Sequence, residues 1–159
     1  MLVEFTLTLP AMLGLFVLLT QGGELLWRHQ LVTKSVRDAT RYLSRVTTAD
    51  QLCPPGGGIG AASAAHLATA RNLALRSALG SNRPHLIPTW TDPQSLQVSV
   101  TCLDNSAAGY RGPPRLPLLT VTATVPVALP LAPVMAVLGA PSANTLSFTV
   151  VDQTRHYGE

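Results

Sequence analysis

The sequence predicts an α+β protein: one long N-terminal helix packed on a small antiparallel sheet with a second helix. Three observations predict it. An uncharged apolar run passes without a break into a segment whose apolar residues recur every three or four positions. A shorter helical segment follows a glycine-rich stretch. Three later segments then alternate strictly between apolar and polar residues.

The first helix is expected to run from near Val3 to near Val46. Phe5 to Gly23 comprises 19 uncharged residues, about 28 Å as a helix, against a hydrocarbon core of roughly 30 Å. Residues 1–23 therefore read as a transmembrane half. Glu4 is the only charge in the first 23 residues. A carboxylate at the bilayer centre costs roughly 2.5–3.5 kcal/mol, so Glu4 is expected at the interface, where the helix dipole favours it, or beside a partner. Pro10 removes a backbone donor and is expected to kink or loosen this half, and Gly22-Gly23 reads as a flexible joint. Trp27 follows the span as an interfacial anchor.

Residues 24–48 read as the amphipathic half of the same helix. Leu25, Val32, Val36, Ala39, Leu43 and Val46 form a narrow apolar stripe, and Val32, Val36, Ala39 and Leu43 are its packing seam. Lys34, Arg37, Arg41 and Arg45 form a separate basic face, with Asp38 spaced to bridge to Lys34 or Arg41.

Residues 49–159 read as a small α+β domain. Asp50 to Gly60 is expected to be a loop. Its glycines are not a phosphate loop, because no Lys-Ser/Thr follows and no strand precedes them. A second helix is expected from about Ala62 to Leu79, stopped by Gly80. The strands place Leu96, Val98, Val100 and Cys102 on one face, then Leu119, Val121, Ala123, Val125 and Val127, then Leu146, Phe148 and Val150. Threonine, serine and glutamine fill the opposite faces, as in a sheet covered on one side. Asp104 to Pro117 reads as a surface linker, and Leu129 to Gly139 as a short helix begun by Pro133.

With a membrane helix set aside, 159 residues leave room for one small core. The net charge of +3 is too small and scattered for nucleic-acid binding. The N-terminus lacks the basic region and small-residue cleavage site of a secretory signal. Cys53 and Cys102 have neither zinc-site nor CxxC spacing. Either they are two buried thiols, or they form a disulfide worth about 2–4 kcal/mol, which requires an oxidising compartment. The disulfide is the favoured reading and places the body outside the cytoplasm. Counting only basic residues after the span places it inside; a basic leader ahead of Met1 would remove the conflict. His29, His66, His85 and His156 are scattered, and no catalytic, cofactor or metal motif is present.

The segment Leu2-Val3-Glu4-Phe5, then Leu9-Pro10, an apolar run, Glu24-Leu25 and Arg37-Asp38-Ala39-Thr40-Arg41-Tyr42-Leu43, resembles the TadE-like family. These are minor pilins, or pseudopilins, of the tight-adherence (Flp, type IVc) pilus machinery. The resemblance covers about the first 46 residues. It implies a pilin-like fold and a non-enzymatic protein without cofactor or small-molecule substrate. It also implies a precursor cut after a basic leader, held in the bacterial inner membrane with its domain outside the cytoplasm, and carried to the cell surface in the pilus. Its partners would be membrane lipid, other pilins and the inner-membrane assembly platform, and its role would be assembly initiation or tip adhesion. In the wider pilin class an acid near the mature terminus neutralises a neighbouring subunit's terminal amine, and Glu4 matches that acid. It usually stands fifth in the mature chain and here is fourth. The rival reading is a single-pass envelope protein whose domain binds an unrelated partner.

Overall fold

The computed structural model describes residues 2–107, 113–128 and 145–156, with the side chains of residues 2–4 and 7 outside that description. The elements in order are α1 (Leu2–Val46), α2 (Ala49–Leu52), α3 (Ala64–Arg76), a 3-10 turn (Pro93–Ser95), β1 (Leu96–Asp104), β2 (Arg115–Ala128) and β3 (Thr145–Arg155). The fold is α+β. The strands form an antiparallel sheet in the order β1-β2-β3, and α1 packs against α3, β3 and β2.

Neither Pro10 nor Gly22-Gly23 interrupts α1. A proline removes one bond from a ladder whose flanking turns stay intact, and a helical glycine costs only about 1 kcal/mol. The helix ends at Val46, where Thr47 returns its amide to the Leu43 carbonyl at 3.2 Å. Asp50–Leu52 is helical instead of loop. The Thr48 hydroxyl accepts from the Gln51 amide while the Gln51 side chain accepts from the Thr48 amide, a reciprocal cap that starts a helix even four residues long. The second helix is shorter than its apolar pattern suggests. It starts at the N-cap Ser63 and ends at Ser77, whose φ of 49° is left-handed, so the stop falls before Gly80.

Leu96 pairs with Ala123 and Ala123 with Val150, which aligns the apolar faces of the three strands. Leu119, Val121, Ala123 and Val125 are fully buried in the strand that α1 packs against. Both ends of the expected 104–117 linker are strand: Asp104 pairs with Arg115 and Cys102 with Pro117. Residues 108–112 and the expected 129–139 helix lie outside the described residues.

Two prolines occupy the central strand, and the ladder geometry explains how. In an antiparallel strand a residue's N and O point to the same side. The Pro117 carbonyl accepts from the His156 amide at 3.0 Å, just past the end of β3. The Pro126 carbonyl accepts from the Thr89 hydroxyl at 2.5 Å, beyond the start of β1. Each missing donor therefore faces a place where the neighbouring strand has stopped.

Candidate functional site

The N-terminal half of α1 projects from the body. Leu13, Leu15 and Leu18 are more than half exposed, as are Met12 at 72%, Phe16 at 65% and Leu19 at 66%. Burial begins at Leu25, which packs partly on the core, and is complete at Val32. The helix is long and apolar enough to cross a membrane, and its apolar stretch buries nothing against the body. Its threonines suit an apolar medium: Thr8 donates to the Phe5 carbonyl at 3.3 Å and Thr20 to the Val17 carbonyl at 2.9 Å. A hydroxyl satisfied by its own helix does not need water. Glu4 lies in the first turns of α1, and its side chain is outside the described residues. Trp27 is 65% exposed just before the docked half.

In the docked half, Val32, Val36, Ala39 and Leu43 are all fully buried. The buried face is wider than the apolar stripe, because Ser35, Thr40, Ser44 and Thr47 are buried too. Each donates its hydroxyl to its own helix: Thr40 to Val36 at 2.8 Å, Thr47 to Leu43 at 2.7 Å, Ser35 to Val32 at 2.9 Å and Ser44 to Arg41 at 3.0 Å. The recurrence of small hydroxyl residues beside the stripe is the signal that apolar counting passes over.

The Arg37-to-Tyr42 segment acts as a clamp between layers. Ala39 is buried, and its small side chain lets the helix sit close to the body. Arg37 reaches Asp152 on β3 at 3.8 Å. Tyr42 and His66 of α3 come together at 3.4 Å between the hydroxyl and Nδ1. Asp38 pairs with neither Lys34 nor Arg41 among the described residues. Asp152 falls in the inward row of Leu146, Phe148 and Val150. A carboxylate on an apolar face requires a cation, so the alternation could have located it.

The helix and β3 run in the same direction. His29 stacks on Phe148 with ring centroids 5.2 Å apart, Arg37 meets Asp152, and His156 lies by the Ser44 end. The His156 side chain is buried, and among the described residues neither ring nitrogen has a hydrogen-bond partner. Burial pushes its pKa below the ordinary imidazole value, and the Ser44 backbone opposes this without closing a hydrogen bond. His85 is half-buried.

At the same end of the sheet, level with Pro117 and His156, Cys53 and Cys102 form a disulfide with Cα atoms 5.8 Å apart. It ties the end of α2 to β1. The glycine-rich loop beside it is held by Arg115, which donates to the Pro54 carbonyl at 2.9 Å and the Gly58 carbonyl at 3.1 Å. Gly57 and Gly58 have φ of 92° and 94°, which side chains rarely adopt. The loop returns through Gly60, whose amide donates to the Leu52 carbonyl at 2.8 Å. A Cβ there would overlap the Gln51 carbonyl. Asp104, whose carboxylate accepts from the Ser106 amide at 2.9 Å, is held below its ordinary pKa by that bond, with Arg115 adding to it.

Among the described residues no group of His, Cys, Asp and Glu is placed to hold a metal. The arrangement offers surfaces: an apolar rod, a helix clamped to a sheet, and a disulfide-closed loop. No curated protein and no solved structure matches the chain. The family model described as TadE-like protein matches residues 1–41, the whole apolar rod and the clamp as far as Arg41. Over that segment the chain is similar to TadE-like proteins.

Proposed function

We propose that the chain is a non-enzymatic minor pilin, or pseudopilin, of a Tad-type (type IVc) pilus that contributes to assembly initiation or to the tip. The observation that carries this reading is one unbroken helix whose exposed apolar half continues directly into a half docked on the body. The TadE-like match over that same helix supports it. Residues 1–23 serve as the membrane half, residues 24–48 as the docked half and residues 49–159 as the extracytoplasmic domain. In the inner membrane the apolar rod is covered by lipid. In a fibre the same surface is covered by the helices of other pilins, and no refolding is needed between the two states. An apolar face of this extent is unstable in water and requires one of these covers.

Glu4 has the assembly role in this scheme. Inside a helix bundle of low dielectric its carboxylate neutralises the terminal amine of a neighbouring subunit. Glu4→Ala removes a charge from an apolar segment, so membrane insertion is retained while co-assembly falls. The test is crosslinked recovery of the other pilins from cells holding equal membrane amounts of wild type and Glu4→Ala. Equal recovery would remove the assembly role from Glu4. Recovery of no pilin by the wild-type chain would remove the pilin reading itself.

A further inference from the structure

Four cations stand in a row along the outer side of α1, at Lys34, Arg37, Arg41 and Arg45, and all are exposed. Spacings of three, four and four residues keep them on one face, opposite the buried seam, over about 16 Å of helix. Apart from Arg37, the row does not serve the fold. Within the row, only Arg37 makes an ion pair among the described residues, at 3.8 Å and 61% exposed. The pairs Arg37–Arg41 and Arg41–Arg45 set like charges one turn apart, which weakens a helix by a few tenths of a kcal/mol each. The surface is also shaped. One depression of about 440 Å³ beside the row is lined by Asp38, Arg41, Tyr42, Arg45 and Val46, so an apolar floor adjoins the charges.

We propose that this row is a docking strip for an acidic helix of a different protein, lying alongside α1 outside the membrane. The inference rests on the membrane reading of residues 1–23. With the span ending near Gly23, Lys34 lies about 16 Å and Arg45 about 33 Å further along the axis. The headgroup layer is only about 5–8 Å deep on each side. Even at a 40° tilt Arg45 would stand about 25 Å out, so lipid cannot cover the row. The described acids of a second copy do not match it either. Among the described acids, Glu24 pairs with Arg28 and Asp152 with Arg37. Asp38, Asp50, Asp92 and Asp104 lie on separate elements and form no matching row. The complement is therefore a foreign element with carboxylates every three to four residues. It runs parallel to the strip and places small apolar side chains over Tyr42 and Val46.

The test uses the full chain in native membranes, with a photo-crosslinking amino acid at position 41 and, separately, at position 16. The expected product at position 41 is a peptide of another protein with carboxylates at three-to-four spacing. Lys34→Glu with Arg45→Glu should cut its yield roughly tenfold, and Lys in place of the partner's carboxylates should restore it. Arg83→Glu, an exposed cation off the row, should change nothing. Self-crosslinks, lipid adducts, no product at position 41, or an equal loss with Arg83→Glu would overturn the proposal. Crosslinks to pilins at position 16 with none at position 41 would overturn the strip while keeping the pilin reading. An acidic partner at position 41 with no pilin at position 16 would do the reverse.

Discussion

Val36→Asp tests whether the docked half of α1 is part of the body's own core. Val36 is fully buried in the seam beneath which α3, β2 and β3 converge. Losing its side-chain burial costs about 2 kcal/mol. The carboxylate must then either stay charged without a partner or take up a proton. Raising its pKa by about 3 units to stay neutral costs about 4 kcal/mol near pH 7. The sum, about 6 kcal/mol, is comparable to the whole stability of a small domain, so the variant should be largely unfolded at neutral pH. Val36→Ala, which carries only the burial and cavity loss, should cost about 2–3 kcal/mol, or roughly 6–12 °C in Tm. The sign with pH separates the two contributions. The introduced Asp has a folded pKa above its unfolded one, so its charge penalty is absent below about pH 4 and grows as pH rises. The assay is thermal unfolding of the full chain in detergent, followed by near-UV circular dichroism of Trp90, which is fully buried with its indole N–H on the Ser95 hydroxyl at 2.6 Å. A Tm for Val36→Asp equal to wild type at pH 7 would refute the packing argument and leave the seam to face another subunit.

Three further outcomes follow from the same geometry. Mass analysis under non-reducing conditions should find Cys53 and Cys102 joined, and reduction should lower stability by about 2–4 kcal/mol; two free thiols would undo both the bond and the compartment inferred from it. His156 is buried neutral with a lowered pKa, so its contribution is complete above the unfolded value near 6.5 and is lost as pH falls through the lower folded value. Unfolding free energy measured from pH 8 to pH 5 should therefore decline, and His156→Asn should flatten that decline. Gly60→Ala should destabilise by about 1–3 kcal/mol, since its Cβ would overlap the Gln51 carbonyl. Gly56→Ala, which meets nothing within 4 Å, should be close to neutral in the same melt.

Periodicity made the elements themselves readable. The long helix, the three strands and their inward faces follow from spacing alone, because α and β backbones repeat every 3.6 and 2 residues whatever lies around them. The TadE-like character was likewise legible, because its residues are contiguous along one helix. Boundaries were less so. The capping box at Thr48 and Gln51 turned expected loop into helix, and the left-handed Ser77 ended α3 early, since a few local hydrogen bonds decide where a repeat stops.

Composition and order along the chain determined by themselves that this protein has an apolar rod, a seamed helix and a one-sided sheet. Only the tertiary structure decided which of these surfaces meet. Arg37 finds Asp152 across more than a hundred residues, Tyr42 finds His66, and His156 comes to rest unpartnered at the end of β3 beside the C-terminal end of α1. The same packing leaves Arg41 and Arg45 facing outward, without an ion-pair partner among the described residues. The reason is geometric: a helix repeat states which residues share a face, but the partner of that face is chosen by how distant segments close around one core.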